Sequence, residues 1–288
     1  MRLLFIGDIV GKPGRRIVRE AAGVLREQLR LDLIIANAEN AADGSGLTPS
    51  IYRDLMQAGV DCITLGDHIY RRKEIVEILE TEENIVKPAN FPAAAPGRQW
   101  TVTRTSAGVP VGVFCLLGRV YMRPVDCPFA AADRVLEHMP EDVRVRVLDF
   151  HAEATSDKQL MGRYLDGRVS AVLGTHTHVP TADQQIFPAG TAFQCDVGMT
   201  GPYESIIGRN IQRVLSTTLS FRPTQFVVAT EDVRLGGTVV EVDAETGRAT
   251  GIGRLTVRYG AEGGLQVLQS SWSVPDRRDP QRHEVCKD

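Results

Sequence analysis

Residues 3–8, LLFIGD, show the pattern that decides the fold, since an apolar run ends there directly in glycine and aspartate. The same pattern returns in residues 33–40, LIIANAEN, and in residues 62–68, CITLGDH. A short apolar run followed by polar residues is typical of a buried strand that leads into a loop. Helical patterns alternate with these runs and cover residues 15–30, 49–58 (with Thr48 as N-cap) and 73–80. Residues 1–90 therefore predict a βαβαβα order with parallel strands.

The rest of the chain continues this alternation, with more strands than helices. Further strands are predicted at residues 101–104, 111–116, 143–147, 171–173, 192–195, 225–229, 238–242, 255–259 and 265–270. Further helices are predicted at residues 130–138, from residue 156 onward, and after residue 208 to about residue 216. No linker or repeat marks a domain boundary, so we expect one α/β domain in which helices flank two stacked sheets. A doubly wound single sheet is the alternative.

Composition excludes several classes of protein. A hydrophobic content of 43% is that of a globular protein with a core, which excludes disordered and fibrous chains. The formal net charge is -3, with no long basic run, so we do not expect duplex DNA as a partner. No apolar run has the length of a signal peptide or a membrane span, and we therefore expect a cytoplasmic protein without a membrane partner. Five cysteines without a C-x-x-C pair argue against a disulfide framework or a cysteine-based zinc site.

Side chains that can bind metal ions follow the predicted strands. Parallel strands place such residues at one edge of a sheet, where α/β proteins bind their ligands. The GTHTH run contains His176 and His178, and in an extended backbone both imidazoles would point to one face and reach two adjacent metals. An isolated H-x-H could equally cap a strand, but five strand ends with ligand side chains indicate convergence. The candidate ligands are Asp8, Glu39, Asn40, Asp67, His151, His176 and His178.

This donor set predicts the metal and the chemistry. Imidazole, carboxylate and amide ligands together suit Fe, Mn or Zn rather than Mg or Ca. The number of candidates fits two ions better than one. Two ions about 3.5 to 4 Å apart can clamp a phosphoryl group and generate a hydroxide nucleophile. Such ions also supply the positive charge that small phosphorylated substrates require. We therefore predict phosphoester hydrolysis.

Six motifs resemble those of the calcineurin-like metallophosphoesterases and, within them, the bacterial YmdB-like branch. In chain order they are GDIVGKPGR, NAEN, LGDHIY, LDFHAEATSDK, GTHTHVPTAD and DVGMTGPYESIIGR. The resemblance covers residues 1–274 as one metallophosphoesterase domain and leaves residues 275–288 as a polar tail, expected to be frayed. It implies a four-layer α/β/β/α sandwich of two mixed sheets, iron or manganese as metals, and phosphodiesterase activity on 2′,3′-cyclic nucleotides.

The resemblance also implies how the ligands divide between the metals. One metal would be surrounded by Asp8, Glu39, Asn40 and His178, and the other by Glu39, Asp67, His151 and His176. Glu39 would bridge the two ions.

One motif departs from the family pattern. The family usually has Asn in a GNH motif followed by Trp and Asp, whereas this chain has Asp67, then Tyr70 and Arg71 in those positions. Asp67 keeps a ligating oxygen and adds a negative charge. The rate and the preferred metal therefore stay open.

His68 is the candidate catalytic residue. In the predicted mechanism a metal-bridging hydroxide attacks phosphorus in line, and His68 protonates or hydrogen-bonds the leaving oxygen. The alternative for His68 is a further metal ligand. The alternative function is a regulatory nucleotide- or partner-binding protein with a structural metal site. Turnover separates the two functions, because a structural site is coordinatively closed and a catalytic site keeps a position for water or substrate. The oligomeric state stays open.

Two other motifs have more than one interpretation. GKPGR is not a P-loop, because Pro13 follows Lys12 where Ser or Thr is required. It marks either a turn before a helix or a helix N-terminus directed at an anion near Asp8. The glycines of residues 196–203 either let backbone amides approach a phosphate or form a tight turn.

Overall fold

The computed structural model of the chain describes residues 1–260 and 264–269, and the predicted tail at residues 275–288 lies outside them. The strands are β1 (Arg2–Ile6), β2 (Asp8–Ile9), β3 (Leu33–Asn37), β4 (Cys62–Thr64), β5 (Ile85–Val86), β6 (Trp100–Arg104), β7 (Pro110–Leu117), β8 (Val145–His151), β9 (Ala171–Thr175), β10 (Gln185–Ile186), β11 (Ala192–Gln194), β12 (Met199–Pro202), β13 (Val233–Val242), β14 (Ala249–Tyr259) and β15 (Leu265–Gln269). The helices are α1 (Gly11–Leu29), α2 (Pro49–Gln57), α3 (Ile75–Thr81), α4 (Pro128–His138), α5 (Thr155–Tyr164) and α6 (Ile211–Ser220).

The strands form two mixed sheets. The larger sheet has the order β15-β14-β13-β1-β3-β4-β5, with β12 and β2 beside it. Its β1, β3 and β4 pair in parallel, as predicted for residues 1–90. The short β5, which was not predicted, pairs in parallel with β4, and β13 pairs antiparallel with β1. The smaller sheet has the order β10-β11-β9-β8-β7-β6, with parallel pairing from β7 through β8 and β9 to β11. Parallel pairing matters for function because it brings strand carboxyl ends to one edge.

The two sheets pack face to face, with helices outside. Alternate residues of β1 show this, since Leu3 and Phe5 join a buried cluster with Val113 and Val147 of the smaller sheet. The intervening Leu4 packs instead with side chains of α1, α2 and α3. On the other side, α4 and α5 cover the outer face of β7 and β8. This alternation gives the α/β/β/α layers that the sequence predicted, and the single doubly wound sheet is wrong.

Some local predictions need correction. The first helix begins at Gly11 rather than residue 15, because Pro13 fits its first turn, where no N–H partner is needed. Thr48 caps α2 as predicted, and its hydroxyl accepts from the Ile51 amide at 3.4 Å. The predicted strand at residues 225–229 is not formed, and the segment is a loop with an isolated bridge between Arg209 and Val228. The Ala229 amide also donates to the Gly208 carbonyl at 3.0 Å.

Across the residues that the structure describes, no helix combines the length and apolar character needed to cross a bilayer.

Candidate metal centre

The seven predicted ligands lie together at the carboxyl-end edge of the two sheets. Asp8 begins β2, and Glu39 and Asn40 lie in the turn after β3. Asp67 lies in the turn after β4, and His151 is the last residue of β8. His176 and His178 follow β9. Both sheets therefore contribute ligands to one site.

One group of ligand atoms surrounds the Nε2 atom of His151. This atom lies 3.2 Å from Glu39 Oε1, 3.2 Å from Asp67 Oδ1 and 3.0 Å from His176 Nδ1. The four ligand atoms all lie within 4.8 Å of one another. An ion with bonds of about 2.1 Å places neighbouring ligand atoms about 3.0 to 3.4 Å apart in octahedral or tetrahedral geometry. The group therefore has the size of a shell around a single transition metal.

A second group surrounds the amide of Asn40. Its Nδ2 atom lies 3.4 Å from Asp8 Oδ1, 3.3 Å from Glu39 Oε1 and 3.2 Å from His178 Nε2. The sequence predicted that the amide oxygen would face these atoms, but Oδ1 instead lies 2.7 Å from His68 Nδ1. The side-chain amide of Asn40 can flip so that Oδ1 and Nδ2 exchange positions, because the two atoms have nearly the same size. Glu39 Oε1 belongs to both groups, as the predicted bridge requires.

Burial and neighbouring charges shift the pKa values of the candidate ligands. Burial raises the pKa of Asp8 to about 6. Burial alone would lower the pKa of His151, but the charge of Glu39 and hydrogen bonds to Asp67 and Glu39 hold it well above its usual value. Burial and the charge of His151 lower the pKa of His176 to about 4. A proton on His151 between two carboxylates stands where a cation would stand, so the donor set fits metal ions.

The backbone of the GTHTH run differs from the prediction. His176 and His178 have φ angles of 101° and 66°, so they lie in the left-handed region and not in an extended strand. The strand ends at Thr175. The two imidazoles do reach the two ligand groups, but by a strained loop and not by strand alternation. Such conformations in non-glycine residues persist where surrounding contacts enforce them, and they cluster at functional sites.

Buried contacts that the sequence analysis missed hold this loop in place. Asp196 Oδ2 accepts from the Thr177 amide at 3.0 Å and from Lys158 Nζ at 2.7 Å. Lys158 and Asp196 are both 1% exposed, so their charges depend on each other. On the open side, His176 Nε2 lies 3.2 Å from Glu153 Oε2. These partners fix the orientation of the imidazole ligands.

Asp149 is a second feature that the sequence analysis missed. Its fully buried carboxylate accepts from Thr64 Oγ1 and Thr175 Oγ1, each at 2.6 Å, and from Asn37 Nδ2 at 2.9 Å. The Thr175 hydroxyl in turn lies 2.8 Å from His151 Nδ1. Because this hydroxyl donates to Asp149, it accepts from Nδ1, which leaves Nε2 directed at the ligand group. The signal was available, since Asp149 lies two residues before His151 and on the same face of β8.

His68 lies at the edge of the centre. It belongs to the turn after β4 and not to a strand, and its backbone amide donates to Glu39 Oε2 at 2.8 Å. The side chain is 28% exposed, so it can reach a substrate. The preceding Gly66 is required here, because a Cβ atom would come within 2.4 Å of His151 and 2.5 Å of Glu39.

The two remaining motifs serve the fold. Residues 196–203 contain β12, which pairs in parallel with β2 through Met199 and Asp8. The segment therefore forms a turn and a strand, and this strand supports the backbone of Asp8. At the start of α1, the Gly11 amide donates to the carbonyl of Asn40 at 2.9 Å. This contact favours the interpretation of GKPGR as a turn that leads into a helix.

Comparison with known proteins identifies related chains. The YmdB-like protein family matches residues 4–255. A 2′,3′-cyclic-nucleotide 2′-phosphodiesterase of Bacillus subtilis (strain 168) is 44% identical over 257 residues, which cover 89% of this chain and 97% of that protein. A hypothetical protein from Thermus thermophilus superimposes with a TM-score of 0.83 at 41% identity, covering 94% of this chain and 100% of that chain. A novel phosphatase from Mycoplasma pneumoniae superimposes with a TM-score of 0.81 at 30% identity, covering 96% and 95%.

Proposed function

The chain belongs to the YmdB-like protein family, and we propose that it is a two-metal phosphodiesterase that hydrolyses small phosphate esters, 2′,3′-cyclic nucleotides in particular. The observation that carries the proposal is the position of Glu39 Oε1, which lies 3.2 Å from His151 Nε2 and 3.3 Å from Asn40 Nδ2. One carboxylate oxygen thus belongs to both ligand groups. The similarity to the Bacillus subtilis enzyme supports the substrate class, since it extends over 97% of that protein.

The residues divide between two metal ions. Asp8, Glu39, Asn40 and His178 would hold one, and Glu39, Asp67, His151 and His176 the other. Mixed imidazole and oxygen donors favour iron or manganese, with zinc as the alternative. When bound, such a pair supplies an activated water nucleophile and positive charge for the phosphate oxygens.

His68 is proposed to act on the leaving oxygen. If the Asn40 amide turns so that its oxygen faces Asp8, its Nδ2 donates to His68 Nδ1 across the contact that now measures 2.7 Å. The imidazole proton then resides on Nε2. From there it can be donated to the oxygen of the breaking ester bond, as general acid catalysis requires.

A direct test is hydrolysis by the metal-loaded protein. We expect turnover of 2′,3′-cyclic AMP and of an aryl phosphodiester by the wild type, and no turnover by Glu39→Gln, because the shared carboxylate loses its charge. Glu137→Gln, on the exposed face of α4, is the matched control and should keep full activity. Metal-loaded wild type that turns over neither ester, or Glu39→Gln with normal turnover, would contradict the proposal. The former result would favour a regulatory binding protein with a structural metal site.

A further inference from the structure

A cavity of about 460 Å³ opens directly beside the metal centre. It is lined by Asp67, Tyr70, Arg71 and Arg123. Asp67 belongs both to this wall and to the ligand group around His151, so the cavity adjoins the centre. Its size lies within the range of small-ligand sites. A substrate whose reacting phosphate lies at the metals therefore has room to extend into this cavity.

Two guanidinium groups line the cavity. Arg71 and Arg123 are both exposed, and within residues 1–260 and 264–269 neither guanidinium forms an ion pair or a hydrogen bond. The carboxylate of Asp67 is directed at His151, 3.2 Å from Nε2. The cavity thus offers two cations whose hydrogen-bonding capacity is unused, which is the arrangement that recognises phosphate.

The aromatic residues around the cavity fix its walls. The Tyr70 hydroxyl donates to the carbonyl of Pro96 at 2.7 Å, which holds the phenol ring in place. The Arg123 guanidinium lies 5.3 Å from the ring centre of Phe91, and the Phe91 ring lies 6.1 Å from that of Tyr70. Arg71 is anchored through its backbone amide, which donates to the His68 carbonyl at 2.9 Å. His68, the proposed general acid, and Arg71, one of the two cations, therefore belong to the same turn.

We propose that this cavity, the arginine subsite, binds a second phosphate of the substrate. This inference rests on the proposed function and narrows it to nucleotides that carry another phosphate besides the one that reacts. Arg71 and Arg123 would pair with the second phosphate, and the ring of Tyr70 offers a surface on which a base can stack.

The second phosphate has two sources, which kinetics can separate. It is either a terminal 5′-phosphate or the internucleotide phosphate of a short RNA that ends in a 2′,3′-cyclic phosphate. We would measure kcat/KM for 2′,3′-cyclic AMP, for its 5′-phosphorylated form and for a diribonucleotide with a cyclic end. The wild type should prefer at least one of the two larger substrates over 2′,3′-cyclic AMP by about tenfold or more. The preferred substrate identifies the source.

Variants of the two arginines test the assignment. In R71A/R123A the ratio of kcat/KM between the preferred substrate and 2′,3′-cyclic AMP should fall by about 10- to 100-fold, because two charge-assisted contacts are lost. R53A, which removes an exposed arginine of α2 outside the cavity, should leave the ratio unchanged. The inference is overturned if the wild type shows no preference, or if the double variant loses activity equally on all three substrates.

A binding measurement keeps this result separate from the proposed function. Adenosine 3′,5′-bisphosphate and adenosine 3′-monophosphate would be titrated into the metal-loaded protein by calorimetry. The bisphosphate should bind at least about tenfold more tightly to the wild type, and R71A/R123A should abolish that difference. If no ester is hydrolysed, the proposed function fails, and equal binding of the two nucleotides would then overturn the subsite as well.

Discussion

At the scale of single residues, Asp67 and His68 are neighbours with different proposed roles. Asp67 Oδ1 lies 3.2 Å from His151 Nε2, inside a ligand group. His68 instead pairs with Asn40, and its side chain is 28% exposed. Substitutions at these two positions therefore test two different properties, the charge of a ligand at Asp67 and proton transfer at His68.

His68→Ala should keep both metals and the fold but lose about 10² to 10⁴ in turnover on esters with a poor leaving group. The loss should shrink on nitrophenyl esters, because a good leaving group needs little protonation. Metal content and both rates would be measured on the same samples. A missing ion together with equal losses on both esters would make His68 a metal ligand instead.

Asp67→Asn removes one negative charge from the ligand group around His151. The amide keeps one ligating oxygen, so we expect metal binding to persist and activity to stay within about tenfold, or roughly 1.4 kcal/mol. Elemental analysis and steady-state kinetics measure the two quantities. An inactive variant without metal would show that this chain depends on the additional charge.

At the scale of elements, the loop after β9 depends on α5. Lys158 of α5 and Asp196 form a buried ion pair at 2.7 Å, and Asp196 also accepts from the amide of Thr177 between the two histidine ligands. The position of the imidazoles is therefore set by a charge that lies outside the ligand groups.

Lys158→Met should lower the free energy of unfolding by about 3 to 5 kcal/mol, because it leaves the Asp196 carboxylate buried without its partner. Metal affinity should fall by about 10- to 100-fold as the loop loosens. Arg168→Met is the matched control, since its ion pair with Asp133 is about one-third exposed and should contribute less than about 1 kcal/mol. Denaturant unfolding and metal titration measure the two effects. Equal losses of unfolding free energy and of metal affinity in the two variants would contradict this interpretation.

Tyr203, directly after β12, is expected to make the protein less stable at alkaline pH. Its hydroxyl donates to the Met199 carbonyl at 3.0 Å, and burial raises its pKa from 10.0 to about 12. The contribution of the protonated Tyr203 hydroxyl to the free energy of unfolding is complete below pH 10. It is lost as the pH rises towards about 12, by at most about 1.4 kcal/mol per pH unit. Urea unfolding of Tyr203→Phe should show a shallower loss in this window, whereas Tyr121→Phe, at a position 90% exposed, should match the wild type. A Tyr203→Phe slope equal to the wild-type slope would refute the assignment.

The sequence predicted the strands that carry ligands because apolar runs ending in polar residues depend on local pattern alone. It did not predict the left-handed backbone of His176 and His178, since this loop is held by contacts outside its own segment, such as the His176 amide with Asp8 and the Thr177 amide with Asp196. It also predicted a strand at residues 225–229, where the apolar pattern is present but the segment pairs only through an isolated bridge between Arg209 and Val228. Local pattern predicts elements, and tertiary contacts decide the loops.

At the scale of the whole molecule, the candidate metal centre lies between the two sheets. Asp8 and Glu39 belong to the larger sheet and its loops, and His151 belongs to the smaller sheet. Metal ions bound between them would hold the two halves of the sandwich together. They would also neutralise carboxylates that are fully buried, such as that of Asp8.

Removal of metal should therefore lower the melting temperature of the whole domain. Metal at 100 times its dissociation constant stabilises the folded state by about 2.7 kcal/mol, provided that the unfolded chain does not bind it. Calorimetry with and without a chelator measures the change, and Glu39→Gln should respond much less than the wild type. An identical response in both proteins would show that the stabilising ion binds elsewhere.

Titration of metal-depleted protein with Mn²⁺ tests the claim that two metal ions at this centre perform phosphodiester hydrolysis. Turnover of 2′,3′-cyclic AMP would be followed against the number of ions bound per chain. We expect negligible activity without metal and a plateau at about two ions per chain. Full activity in the metal-depleted protein, or a plateau at a single ion, would contradict the claim.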